Sequence, residues 1–309
     1  MEKVKHIRID ENTTISDLMF KMESAGVLGA GRLGRATSIL TKILEDPDIF
    51  TFLAISGPLV PGGMRYLFAD MIRDGFVDVI ITSGANLVHD LLEAWGGYHI
   101  IGSMNSYDPK LREEGIGRIG DIFTKNEHFE TLETNLHNFF DKLSDDGISS
   151  LTPSELMYKL GEQLSDENSI IRQAYLHNVK IFSPGLLDSM IGFHIWTYNQ
   201  FGKMNLDFVK DMQYLSDLIF EVKKTGAIIL GGGLTKHYTM GANILRDGLD
   251  YAIQITMDRP ETGSLSGTPL NEGISWQKLR TSARFETVVG DVTALFPIIL
   301  AAAYQRLKK

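Results

Sequence analysis

A chain of 309 residues, 43% hydrophobic and 22% charged, has ordinary globular composition, enough for one large domain or two modest ones. Its net charge of −9 argues against a nucleic-acid groove and tilts toward a cationic partner, whether a polyamine or a basic protein segment. The absence of cysteine excludes disulfides, thiolate metal sites and cysteine nucleophiles.

The N-terminus "MEKVKHIRIDENTTIS" has no apolar leader-like run, and no stretch approaches 18 apolar residues, so no membrane span and a cytoplasmic location are expected. Ile15, Leu18, Met19 and Met22 are spaced as one helical face, with Thr13 or Thr14 placed to cap it. Residues 50–56 read as a buried strand, and "GGMRYLFADMIRDG" as a helix closed by Gly75. A strand over 77–82, a turn at Ser83-Gly84 and a helix to about Trp95 follow. Residues 125–178 are helical and polar on one side, and 180–183 form a short strand. "NLDFVKDMQYLSDLIFEVKKTG" reads as a long amphipathic helix ended by Gly226. Strand, glycine turn and helix recur in "AIILGGGLTKHYTMGANILRDG", a strand covers 250–256, and a last strand and apolar helix close the chain. The alternation predicts a doubly wound α/β fold, a mostly parallel sheet with helices on both faces and ligands at the C-terminal strand ends. A single domain over 1–309 is expected, with residues 1–48 as an N-terminal helical extension.

Gly29, Gly31 and Gly34 spell G-x-G-x-x-G, the dinucleotide fingerprint, but a helical pattern precedes them where a strand is required. The expectation is that Gly26 stops one helix and Gly29–Gly34 let the chain turn into the next. Three other loops do follow strands: Ser56-Gly57-Pro58, Ser83-Gly84-Ala85 and Gly231-Gly232-Gly233. Each could aim backbone N–H groups at an anion, or could simply let a helix pack closely on a strand. "GGGLTKH" is not G-x-x-x-x-G-K-[ST], so a P-loop is excluded.

"EGISWQK" groups Glu272, Trp276 and Lys278 in a turn or short helix. A lysine is a nucleophile only when unprotonated, and burial against an aromatic wall favours that form, whereas a lone lysine is more often a solvated surface group. A nearby carboxylate would hold a cationic substrate or shuttle its proton. His89 beside Asp90 has neither a histidine at i+4 nor a cysteine to complete a zinc site, so no metal is assigned.

The runs "IILGGGLTKHYTMGANILRDGLDYAIQI", "NEGISWQKLR" and "GDVTALFPIILA", with "SGANLVHDL" and "FSPGLLDSMIG", resemble the deoxyhypusine synthase family along nearly the whole chain. The resemblance implies an NAD-dependent transferase that dehydrogenates and cleaves spermidine, carries the aminobutyl group as an imine on a lysine and passes it to a lysine of the hypusine-bearing translation factor. The matching carrier is Lys278. His237 matches the family histidine that contacts the polyamine, Glu272 the carboxylate that holds one amine end, and Trp276 the aromatic wall; His89 falls at a further substrate-binding position. Cofactor contacts match Gly57, Ser83, Gly84, Ala85, Asp188, Gly231, Gly232, Gly233 and Asp291. A homotetramer of two tight dimers with shared active sites is implied, without nucleic acid or membrane.

Eukaryotic members carry additional carboxylates where this chain has His89, Phe193 and Leu265, and a Ser-Asn pair where it has Gly57-Pro58. Those differences leave open a small amine acceptor, as in homospermidine synthesis or agmatine use, and a catalytically silent NAD-binding protein is a third reading.

Overall fold

The computed structural model describes residues 2–307. Helices α1 (Ile15–Ala25) and α2 (Leu28–Glu45) precede β1 (Ile49–Ile55), α3 (Arg65–Arg73), β2 (Val79–Thr82) and α4 (Gly84–Ala94). Next come β3 (Ile100–Ile101), α5 (Asp108–Glu113), β4 (Ile116–Ile119), β5 (Ile122–Lys125) and α6 (Asn126–Asp145). β6 (Ser150–Leu151), α7 (Pro153–Gln163), α8 (Ile170–Leu176), β7 (Lys180–Phe182) and α9 (Met190–Tyr198) follow. The chain continues through β8 (Asn205–Leu206), α10 (Phe208–Phe220), β9 (Lys224–Leu230), α11 (Gly233–Ala242), β10 (Leu249–Thr256), β11 (Leu279–Val289) and α12 (Val292–Leu307). No helix among the described residues is long and apolar enough to cross a membrane.

Two compact units emerge, each discontinuous in sequence. The first comprises the chain up to Ser56, Phe76–Ile81 and everything from Gln213 onward; the second comprises Gly57–Gly75 and Thr82–Met212. In the first, the strand order is β11-β10-β9-β1-β2, with β1–β9, β9–β10 and β10–β11 all parallel. Ala227, Ile228, Ile229 and Leu230 of β9 are fully buried in succession, as a strand covered on both faces must be. Helices α2 and α12 pack on β10, and α11 packs on β1 and β9. The chain leaves β1 toward β2 but runs from β9 outward to β11, so the direction of winding reverses between β1 and β9. Open sheets of this kind have their ligand crevice at that reversal, beyond the carboxyl ends of the strands. There Ser56 Oγ donates to the Gly232 carbonyl (2.6 Å), tying the end of β1 to the turn after β9.

The second unit holds α3 to α9, a small antiparallel sheet β3-β5-β4 and the parallel pair β6-β8. Its core is organised by Arg65, whose Nε donates to Asp90 Oδ1 (2.7 Å) while Nη2 reaches Asp166 Oδ2 (2.7 Å). Asp90 also accepts from Ser169 Oγ and from the backbone N–H groups of Ile170 and Ile171, which caps α8. Every oxygen of Asp90 is therefore engaged.

Two local expectations are corrected. Gly26 does stop α1 in the left-handed conformation (φ 78°), but Gly29, Gly31 and Gly34 lie inside α2 instead of forming a turn. A Cβ on Gly31 would stand 2.5 Å from the Gly26 carbonyl carbon, and one on Gly34 would stand 2.3 Å from the Glu23 amide nitrogen. The fingerprint spacing thus serves close packing of α2 on α1. Likewise α10 ends at Phe220, and Gly226 sits within β9 between Thr51 of β1 and Tyr251 of β10, where a Cβ would meet Ile49 at 2.9 Å. Apolar neighbours, not a helix end, select that glycine.

Candidate active site

The turn Gly231–Gly233 links β9 to α11. Gly231 (φ 88°) and Gly233 (φ 61°) adopt left-handed backbone, and a Cβ on Gly232 would lie 2.5 Å from Ser266 Cα. Gln254, on β10, donates to the carbonyls of Gly231 (3.1 Å) and Ser266 (2.8 Å) and so fixes the turn against the loop that follows β10.

Beside this turn lies a cleft of about 360 Å³ between α11 and the β10–β11 connection. Four residues singled out from the sequence line it: His237 on α11, then Glu272, Trp276 and Lys278. A short 3₁₀ turn (Leu270–Ile274) carries Glu272, and the left-handed Gln277 (φ 55°) turns the chain so that Trp276 points outward. Lys278 Nζ stands 5.7 Å from the centroid of the Trp276 ring. The expected drying of Lys278 by an aromatic wall is not achieved within one chain, because Trp276 is 68% exposed and Lys278 only half-buried. Partial burial, with the nearby Lys278 ammonium second, holds His237 below the usual histidine value, so its ring is neutral at neutral pH.

Lys236, which sequence reasoning missed, underlies the cleft and is 1% exposed. Its Nζ donates to Gln254 Oε1 (3.0 Å), to the Leu265 carbonyl (3.0 Å) and to the Thr268 carbonyl. Burial pushes the ammonium down to about 8, against the pull of the Glu272 carboxylate. The only sequence signal was its place one residue before His237 in "GGGLTKH".

The residues matched to cofactor contacts fall into both units. In the first, Asp291 caps α12: its Oδ1 accepts from the Ala294 amide (3.0 Å) and the Thr293 hydroxyl, bonds that hold its carboxyl below the usual range. In the second, Ser83 caps α4 by accepting from the Asn86 amide (3.4 Å), and a Cβ on Gly84 would meet Ser189 at 2.6 Å. Ala85 follows in the first turn of α4, Gly57 (φ 71°) has open space around it, and Asp188 is exposed. His89 is 8% exposed and faces inward within the second unit. Glu93 Oε1 accepts from His99 Nδ1 (2.7 Å), and His99 Nε2 pairs with His89 Nδ1 (2.9 Å). His99 and Glu93 were not anticipated, although Glu93 lies one helical turn beyond His89.

A family model described as deoxyhypusine synthase matches residues 17–303. A protein named probable deoxyhypusine synthase from Methanothermobacter thermautotrophicus is 49% identical over 304 residues, covering 98% of each chain. Another so named, from Methanopyrus kandleri, is 47% identical over 288 residues, 93% of each. A crystal structure described as a "putative deoxyhypusine synthase" from Entamoeba histolytica superposes with a TM-score of 0.66 at 21% identity, covering 98% of this chain and 97% of that one, and so shares the fold.

Proposed function

This chain belongs to the deoxyhypusine synthase family, and on that premise we propose that it moves the 4-aminobutyl group of spermidine to a lysine of the hypusine-bearing translation factor, with NAD as cofactor and Lys278 as covalent carrier. The observation that carries this reading is the convergence of Lys278, His237, Glu272 and Trp276 on one cleft between α11 and the β10–β11 connection. A linear polyamine needs an anionic anchor at an ammonium end, an apolar face along its methylenes and a nucleophile within the same groove; Glu272, Trp276 and Lys278 supply these in turn. His237, neutral at neutral pH, can accept the proton an ammonium must lose before its nitrogen attacks.

NAD fits the glycine turn that opens α11: Gly231 N–H is taken by the Ile255 carbonyl (2.8 Å), Gly233 starts the helix in left-handed backbone where the first N–H groups lack helical acceptors, and a Cβ on Gly232 has no room. Gly231, Gly232, Gly233 and Asp291 would hold it in the first unit, and Gly57, Ser83, Gly84, Ala85 and Asp188 are the matching residues of the second. When bound, NAD supplies the hydride acceptor that turns an unreactive amine into an imine. The exposure of Trp276 and of Leu265, which lines the same cleft, supports completion of the site by a second copy in a homotetramer.

A second reading, transfer to a small amine such as putrescine or agmatine, draws on Leu265, since an apolar side chain lines the cleft where eukaryotic members have a carboxylate. One experiment separates the readings. The protein is incubated with butyl-labelled spermidine, NAD and either the translation factor or candidate amines, and borohydride traps any imine on the enzyme. Label on the factor, and its loss together with the trapped enzyme in Lys278→Ala, is the expected result. Label on a small amine alone would establish the second reading, and full transfer by Lys278→Ala would exclude Lys278 as carrier.

A further inference from the structure

The second unit brings together three side chains with no part in the proposed transfer. Glu133 and His137 stand one turn apart on α6, and His194 projects from α9, which packs against α6. One donor atom from each lies within 4.8 Å of the other two. The His137 and His194 rings meet nearly edge to face, 5.7 Å apart at 80°. His194 is 2% exposed, and neither of its ring nitrogens has a hydrogen-bond partner among the described residues. A buried imidazole with both nitrogens unmet is a costly arrangement that folding ordinarily avoids.

His137 also has a supporting group. Thr197 Oγ1 donates to the His194 carbonyl (3.1 Å), so toward His137 Nε2 (3.3 Å) it acts as acceptor. The proton of the neutral ring then resides on Nε2 and the lone pair on Nδ1. A ring whose one N–H is held by an oxygen while the other nitrogen is free is the usual outer-shell arrangement of a metal-binding histidine.

We propose that Glu133, His137 and His194 form a zinc site that clamps α6 to α9. Two imidazoles and a carboxylate are a borderline N/O set suited to Zn²⁺, and the fourth tetrahedral position falls to water on the side of the exposed Glu133. Tetrahedral zinc with bonds near 2.0–2.1 Å sets its donors roughly 3.4 Å apart. Binding therefore draws the three side chains inward by rotamer adjustment, which the exposed carboxylate allows.

The test uses the untagged full-length protein, stripped with chelator and dialysed against Zn²⁺, with metal counted by mass spectrometry. Co²⁺ is titrated in parallel as a visible-absorption probe. The expected result is one zinc per chain, a d–d spectrum of four-coordinate cobalt and a raised melting temperature. Glu133→Gln and His137→Asn should each weaken zinc binding by at least about tenfold, and Thr197→Val by about 10–100-fold, with unchanged far-ultraviolet circular dichroism. Glu133 is exposed, so its variant tests ligation without disturbing the core. Substoichiometric zinc in the wild type, or stoichiometric binding that survives both Glu133→Gln and His137→Asn, would overturn the site. So would binding that disappears only in His99→Asn, since the ion would then belong to the His89–His99–Glu93 group.

Discussion

Lys236 shows how one side chain can hold a site without reaching into it. Its three ammonium protons meet three acceptors drawn from β10 and from the loop that walls the cleft. Lys236→Met keeps the volume but leaves those acceptors buried and unmet, at roughly 1–3 kcal/mol for such a loss. A lower urea midpoint is expected, with cleft chemistry lost in step with the fold; an unchanged midpoint would show that the loop is held by other means. The neighbouring residues were legible for a different reason. Lys278, Trp276 and Glu272 are separated by only a few positions, so a short turn had to group them, and a known family pattern covers them. Lys236 is paired with residues 18 to 32 positions away, contacts that no local spacing announces.

At the scale of elements, α1 and α2 turn the dinucleotide-like fingerprint into a pair of opposite predictions. Gly34 meets the backbone of Glu23, so Gly34→Ala overpacks the helix pair and should cost about 1–3 kcal/mol in a urea melt. Gly29 has nothing within 4 Å of a built Cβ and lies on an exposed helical surface, so Gly29→Ala should stabilise by about 0.4–1 kcal/mol. Equal effects at the two positions would contradict the packing role. The periodicity of the first helix and its stop at Gly26 could be read directly, and Thr14, one of two candidates, caps it in a box with Asp17. The second helix was hidden because glycine suggests a turn wherever packing is unknown, and the same ambiguity lengthened α10 to Gly226. Runs such as "AIILGGG" were recognisable because a strand buried on both faces reads as continuous apolar sequence. The small sheet β3-β5-β4, made of strands of two to four residues, is too short to produce a pattern.

The stability of the whole molecule should carry the signature of a buried imidazole. Burial first, and His99 second, push His89 down to about 4. Between that value and the ordinary 6.5 the unfolded chain binds a proton that the folded chain refuses, so stability falls as pH drops through this window and is complete above it. The contribution approaches ~3 kcal/mol at the acid end. In wild type the urea midpoint should decline from pH 7 to pH 4.5 more steeply than in His89→Asn; parallel declines would assign the acid sensitivity to other groups. The α/β alternation and the parallel sheet were accessible from sequence, whereas the division into two units was not. Each unit is assembled from separated segments, and no linker or change of composition marks where the chain passes from one to the other.

The outward-facing Trp276 gives the protein an optical voice of its own. An indole this open to water emits at the red end of tryptophan fluorescence and is readily quenched by iodide, acrylamide or a nearby amide. The chain has only two other tryptophans, Trp95 and Trp196, and replacing both with phenylalanine leaves a single emitter at the rim of the cleft. Its colour and its shielding from quencher then register the moment the rim is covered. A dependence on protein concentration would signal another copy and a dependence on added amine a bound substrate, so assembly and occupancy can be followed in real time without a label.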